Sequence, residues 1–303
     1  MKENSMAPKK QIGDTVITSI IKVCGYSSIL FVGLILVFLL KEGLPALKDV
    51  PLTSLFSIRW YPIEGLFGIL PLIFGTLLVT ISATLIALPF GIGTAIFISE
   101  VAPRWTKELL KPIVEILAGI PSVVLGFIGI LVIVPFFRKF LDLPTGLTAF
   151  TGAVLLGLIA IPTIVSVAED ALNTVPPGYR QAGLALGATR WQTIWGVTVP
   201  AAKTGILTAV MLGIGRALGE TMAVMMVTGN APVLPSGLNA IFEPVRTMTA
   251  TIASEMGEVA TGSQHYQVLF LIGILLFLLS LVINITASAV STKQRKRAER
   301  ILS

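Results

Sequence analysis

Residues Tyr179 to Pro200 read YRQAGLALGATRWQTIWGVTVP, and after Lys203 the chain enters an apolar stretch, Thr204 to Val227, that carries Arg216 and Glu220. The second stretch has the length of a membrane-crossing helix, and an Arg and a Glu inside such a helix are costly enough to mark function rather than packing. The first is a short basic loop. Pro176 and Pro177 after Asn173 and Thr174 predict a helix start near Gly178, since proline is tolerated in a first turn. That helix runs through Ala182 and Leu186 to Gly187, a left-handed cap, and Thr189 caps a second helix through Arg190, Trp191, Ile194 and Trp195. The product is a helix, a sharp turn and another helix. Small residues at Ala182, Gly183, Ala185 and Gly187 admit a close partner, with Tyr179, Leu184 and Leu186 as apolar contacts. An amphipathic hairpin lying on the membrane surface fits the same residues.

The rest of the chain agrees with a membrane setting. Of 303 residues, 54% are hydrophobic and 13% charged, too apolar for an ordinary soluble domain. Spans of helical length are expected at Val16–Leu40, Phe67–Ile98, Pro112–Phe137, Leu147–Val167, Thr204–Val227 and Val268–Val290, so the fold class is all-α with six transmembrane helices. Pro89, Gly91 and Gly93 are expected to bend or end the second span, and Pro121 in the AGIPS run to kink the third. Between Lys41 and Leu66, several prolines with Trp60 and Tyr61 predict a loop with a short surface helix at the membrane boundary.

With the N-terminus inside, fifteen Lys and Arg fall on the cytoplasmic side, six on the outer side, and Arg216 in the membrane. The asymmetry follows the positive-inside rule, places both termini in the cytoplasm and accounts for the net charge of +6 without nucleic acid. The expected organisation is a cytoplasmic tail, 1–15; a first span with an outer segment, 16–66; a permease core, 67–290, with a cytoplasmic loop at 169–203; and a basic tail, 291–303. A lone cysteine, Cys24, can form neither an intrachain disulfide nor a thiol metal site.

Arg216 and Glu220 stand four residues apart, hence on one face of a continuous helix, with Gly215 and Gly219 beside them to admit a neighbouring helix. Arginine keeps its charge and its planar fork fits an oxyanion, while the glutamate offers neutralisation when no anion is present. A salt bridge that only pins the bundle is the structural alternative. Thr221 adds a hydroxyl to the path; Thr247, Thr249, Thr251 and Ser254 are further hydroxyls toward the outer face. Glu115 is expected at the inner surface and His265 on the outer surface without a partner. No catalytic or metal-ligating set occurs, and no phosphate-binding G-x-x-x-x-G-K-[ST] loop, so any ATP use belongs to another chain. A secondary transporter or channel for a small anion is the rival reading, because it too places charges in broken helices.

The loop resembles the signature of ABC importer permeases, E-A-A, three residues, G, nine residues, I-x-L-P. Gln181, Ala182 and Gly183 stand at the triplet, Gly187 at the glycine, Val197 at the isoleucine and Val199-Pro200 at the end, with Gln181 replacing the acid. GRALGETMAV (Gly215 to Val224), RTMTATIASEMGE (Arg246 to Glu258) and AGIPSVVLGF extend the resemblance to phosphate-specific importer permeases, the PstC type more than the PstA type. The resemblance implies a MetI-like bundle in the bacterial inner membrane. It implies a heterodimer with a PstA-type permease, a PstB-type ATPase dimer holding ATP and Mg, a periplasmic phosphate-binding protein, and phosphate as cargo. ATPase docking then falls to Gln181, Ala182, Gly183, Leu186, Gly187, Arg190 and Pro200, and the substrate path to Arg216, Glu220 and Thr221.

Overall fold

A computed structural model describes residues 12–237 and 239–302. Helix α1 (Ile12–Gly43) leads into two single-turn helices, α2 (Ala46–Asp49) and α3 (Leu52–Leu55), and a hairpin of β1 (Trp60–Tyr61) with β2 (Leu66–Phe67), paired Trp60 to Phe67. Helix α4 (Leu70–Ile96) ends in a π-helical turn, Phe97–Val101, and α5 (Arg104–Gly119) follows. Then come α6 (Ser122–Ile128), a π turn at Gly129–Ile133, α7 (Val134–Phe140) and α8 (Ala149–Asn173). The central loop forms α9 (Pro177–Ala185), α10 (Arg190–Thr193), a π turn at Ile194–Thr198 and α11 (Val199–Ala201). The chain closes with α12 (Lys203–Gly219), α13 (Met222–Val227), α14 (Met248–Glu255) and α15 (Gln264–Leu302).

Among the described residues, five helices are long and apolar enough to cross a membrane, at 16–49, 70–101, 122–140, 149–173 and 264–286. A sixth span forms only if the pair 190–201 and 203–219, bent by 72°, is taken together. The fifth expected span is therefore not one helix: α12 stops at Gly219 because Glu220 turns to extended backbone, ψ 132. The third differs too. Ile120, ψ 128, is extended because the following Pro121 crowds its backbone, so α5 and α6 are separate helices where a kink was expected. Pro89, by contrast, leaves α4 unbroken, and neighbouring Gly91 serves packing, since a Cβ there would lie 2.8 Å from Ile164 of α8.

Helix α4 packs along α8, and α8 against α12, forming the centre of the bundle. Large apolar side chains of α1, such as Tyr26, Ile29 and Phe31, stay exposed, as a lipid-facing helix requires. The segment after α1 is not a surface loop. Val50, Leu55 and Trp60 are buried with Met248, Leu269 and Ile272, so this outer segment is one end of the core.

Candidate functional site

The central loop folds as the local signals predict. The left-handed backbone of Gly187, φ +82, closes α9, with Gly187 N–H donating to Leu184 O at 3.0 Å and Ala188 N–H to Gly183 O at 3.2 Å. Thr189 and Gln192 form a reciprocal capping box that starts α10. Leu186 at the turn is 89% exposed, and Gln181, Ala182, Arg190 and Pro200 are exposed too. Gly183 departs from expectation: it is buried, a Cβ there would meet Thr193 at 3.2 Å, and its small size serves packing between the two arms. The second arm is seated by Ile194, which packs with Ile96 of α4 and Leu172 of α8.

Polar contacts tie the base of this hairpin to the bundle. Arg180 donates from Nε to both oxygens of Glu100, at 3.1 and 3.2 Å, and from Nη2 to Oε1 at 2.6 Å. Its Nη1 reaches Val175 O at 2.7 Å and its Nη2 reaches Leu172 O at 2.8 Å. Nearby, Ser99 Oγ pairs with Asn173, Asn173 donates to Glu169, and Lys111 bridges Glu169 at 3.1 Å. The Glu169 carboxylate holds the Lys111 ammonium above its ordinary pKa, chiefly through that hydrogen bond. Sequence reasoning missed Glu100, whose partner lies eighty residues away. Its one signal was a carboxylate closing an uncharged run. Glu115 is exposed on α5 and stands outside the spans.

Arg216 and Glu220 do not pair. Because α12 ends between them, the expected shared helical face does not exist. Arg216 Nη1 donates to Thr163 Oγ1 at 3.3 Å, and Nη2 lies 3.5 Å from Ala118 O near the C-terminus of α5. Glu220 instead folds back on the next helix: its Oε1 accepts from Thr221 N at 3.1 Å and Ala223 N at 3.4 Å, capping α13. The Thr221 hydroxyl donates to Gly219 O at 3.2 Å. Gly215 and Gly219, expected to admit a neighbouring helix, face open space in this chain; Gly213 makes the close approach, with a Cβ position 2.5 Å from Ile164.

Of the further hydroxyls, Thr247 caps α14, Thr249 donates to Glu220 O at 3.1 Å, Thr251 donates to Thr247 O, and Ser254 to Thr251 O. His265 is partnered, contrary to expectation: its Nε2 lies 2.7 Å from Glu255 Oε2, and its ring packs 6.0 Å from that of Trp60. Trp60 Nε1 and Arg246 Nη1 both donate to Glu255, and Arg246 Nε donates to Asn230 Oδ1 at 2.8 Å. The carboxylate thus joins the outer segment, α14 and α15.

Two spans broken at the extended residues Ile120 and Glu220, with Arg216 reaching from one to the other, and a capped hairpin together form the candidate site. The family described as "Binding-protein-dependent transport system inner membrane component" matches residues 87–296, from the middle of α4 into α15. The chain belongs to this permease family. A probable ABC transporter permease of Bacillus subtilis, YqgH, is 42% identical over 247 residues, 81% of this chain and 79% of that protein. The phosphate transport system permease protein PstC of Haemophilus influenzae is 34% identical over 281 residues, 86% and 88% of the two chains. The fold of this permease is shared with a solved inward-facing MetNI methionine ABC transporter, TM-score 0.60 at 19% identity, covering 78% of this chain and 99% of that one.

Proposed function

We propose that this permease is the PstC-like half of an ATP-driven importer of inorganic phosphate. The observation that carries the reading is the likeness to phosphate-system permeases over 86% of the chain, a stretch that takes in both the hairpin and the Arg216 helix. The sequence carries no G-x-x-x-x-G-K-[ST] loop, so in this reading the exposed face around Leu186 docks a separate PstB-type ATPase dimer that holds ATP and Mg. A PstA-type permease completes the path, and its helices meet the open side of α12 at Gly215 and Gly219. A phosphate-binding protein delivers the anion to the outer face. Gln181, Ala182, Leu186, Gly187, Arg190 and Pro200 form the docking face, with Gly183 holding its two arms together. Arg216 and the hydroxyl of Thr221 lie on the substrate path, and Glu220 shapes it by fixing the start of α13.

The experiment is reconstitution. The permease, its partner permease, the ATPase and the binding protein are placed in liposomes, and ATP hydrolysis and anion uptake are followed with phosphate or sulfate. Phosphate-stimulated hydrolysis coupled to uptake is expected. Phosphate uptake that proceeds without the ATPase would favour a secondary transporter or channel and overturn the reading.

A further inference from the structure

We propose that Glu100 and Arg180 form the latch through which movement of the hairpin's first arm is delivered to helices α4 and α8, which makes them positioning residues for coupling rather than parts of the docking face. The proposal rests on the reading of residues 177–201 as the ATPase docking hairpin.

The two arms of that hairpin are held differently. The second is seated by Ile194, which is buried in one apolar cluster with Ile96 of α4 and Leu172 of α8, whereas no residue of α9 belongs to that cluster and its Tyr179 and Leu184 side chains are exposed. A cavity of about 130 Å³, lined by Glu100, Arg180, Leu184, Arg190, Thr193 and Ile194, lies beside the first arm. Across that gap the rigid connection is the Arg180 guanidinium. It takes both oxygens of Glu100 from the π turn that ends α4, and the carbonyls of Leu172 and Val175 at the end of α8. Leu172 is in the last turn of α8, where a cation is favoured, and Val175 lies two residues beyond that helix.

One planar group therefore ties α9 to two other segments at once, which a lysine, a point charge on a flexible stem, cannot reproduce. The Glu100 side chain is 8% exposed and that of Arg180 25%. A buried ion pair is a poor device for stability alone, since well-packed apolar residues often hold as well. A fixed, multiply bonded geometry at a joint suits transmission of displacement. Leu186 stands apart from the latch, exposed at the turn, so a partner can load α9 there while Arg180 carries the displacement inward.

The test uses the complete transporter in liposomes, with two readouts: ATPase retained on the purified complex and phosphate taken up per ATP hydrolysed. Glu100→Gln and Arg180→Lys are expected to keep the ATPase bound while uptake per ATP falls about tenfold, within the usual range of coupling between sites. The double variant Glu100→Gln/Arg180→Lys should be no worse than Arg180→Lys alone, because the Glu100 contact is already broken in that variant. An unchanged uptake ratio in Arg180→Lys would overturn the latch, and so would additive losses. A loss of bound ATPase in step with lost uptake also overturns it, because the pair then only maintains the loop's fold. Leu186→Glu separates this from the docking reading: if the ATPase stays bound in that variant, the docking face is elsewhere, whatever the latch variants do.

Discussion

Arg216 keeps its charge in any surroundings, and its partners here are neutral oxygens: the Thr163 hydroxyl and the Ala118 carbonyl. A cation held by neutral acceptors is free to meet an anion. One already neutralised by a carboxylate would first have to exchange partners. Arg216→Gln is expected to leave the complex assembled and to lower phosphate uptake on the order of 100-fold, the factor that ~3 kcal/mol for an uncompensated charge in the bilayer implies. Co-purification of the partner subunits beside an uptake assay checks it, and failure to assemble would assign Arg216 to structure. Glu220 carries a different expectation, because its carboxylate is committed to two backbone amides. Glu220→Gln keeps an acceptor oxygen and should retain most uptake. Glu220→Ala removes the cap, costing about 1 kcal/mol, and should loosen the start of α13, read as faster hydrogen exchange over residues 221–224. Equal behaviour of the two variants would sink the capping role. Glycine 187 is a third case: its φ of +82 makes Gly187→Ala cost about 1–2 kcal/mol although a Cβ would meet nothing within 4 Å.

The elements were legible where a local signal sufficed. Pro176-Pro177, Gly187 and Thr189 mark the hairpin because caps and first-turn prolines act within a few residues, and the structure places α9, the left-handed turn and α10 accordingly. Breaks were misread where two local effects compete. Pro121 was expected to kink the third span and Pro89, with Gly91 and Gly93, to bend or end the second, but the outcome was set at 121 by the extended residue before it. At 89 it was set by the fit of α4 against α8. The end of α12 at Gly219 had no such mark, since it depends on a carboxylate turning toward the next helix. Contacts across long separations, Glu100 with Arg180 and His265 with Glu255, were invisible because one sequence carries no pairing information. The hairpin yields its own prediction. Leu186 is 89% exposed and contributes little to this chain's packing, so Leu186→Glu should leave the permease folded. It should weaken retention of the ATPase by about 10- to 100-fold, the equivalent of the 1.5–3 kcal/mol gained on burying a leucine. Wild-type retention in detergent would remove Leu186 from the docking face.

At the scale of the molecule, α4 fixes the axis along which every site is arranged. Its start at Leu70 adjoins the β1–β2 hairpin, and its 27 residues, about 40 Å at 1.5 Å per residue, lead to the π turn that holds Arg180. The Glu255 cluster and the α9–α10 hairpin therefore occupy opposite ends of a helix long enough to cross a bilayer. The charge asymmetry of the sequence predicts that the hairpin end faces the cytoplasm. Two exposed side chains report the orientation, Leu186 at one end and Ile63, 88% exposed at the tip of the β1–β2 turn, at the other. In a Cys24→Ala background and in membranes without the ATPase, Leu186→Cys should react with a membrane-impermeant maleimide only in inside-out vesicles, and Ile63→Cys only in right-side-out ones. Neither change touches the buried core, so uptake by the Ile63→Cys variant serves as a check that the fold is kept. Labelling of Leu186→Cys from the outside would invert the permease, put the docking hairpin beyond the reach of a cytoplasmic ATPase, and remove the physical basis for an ATP-driven importer.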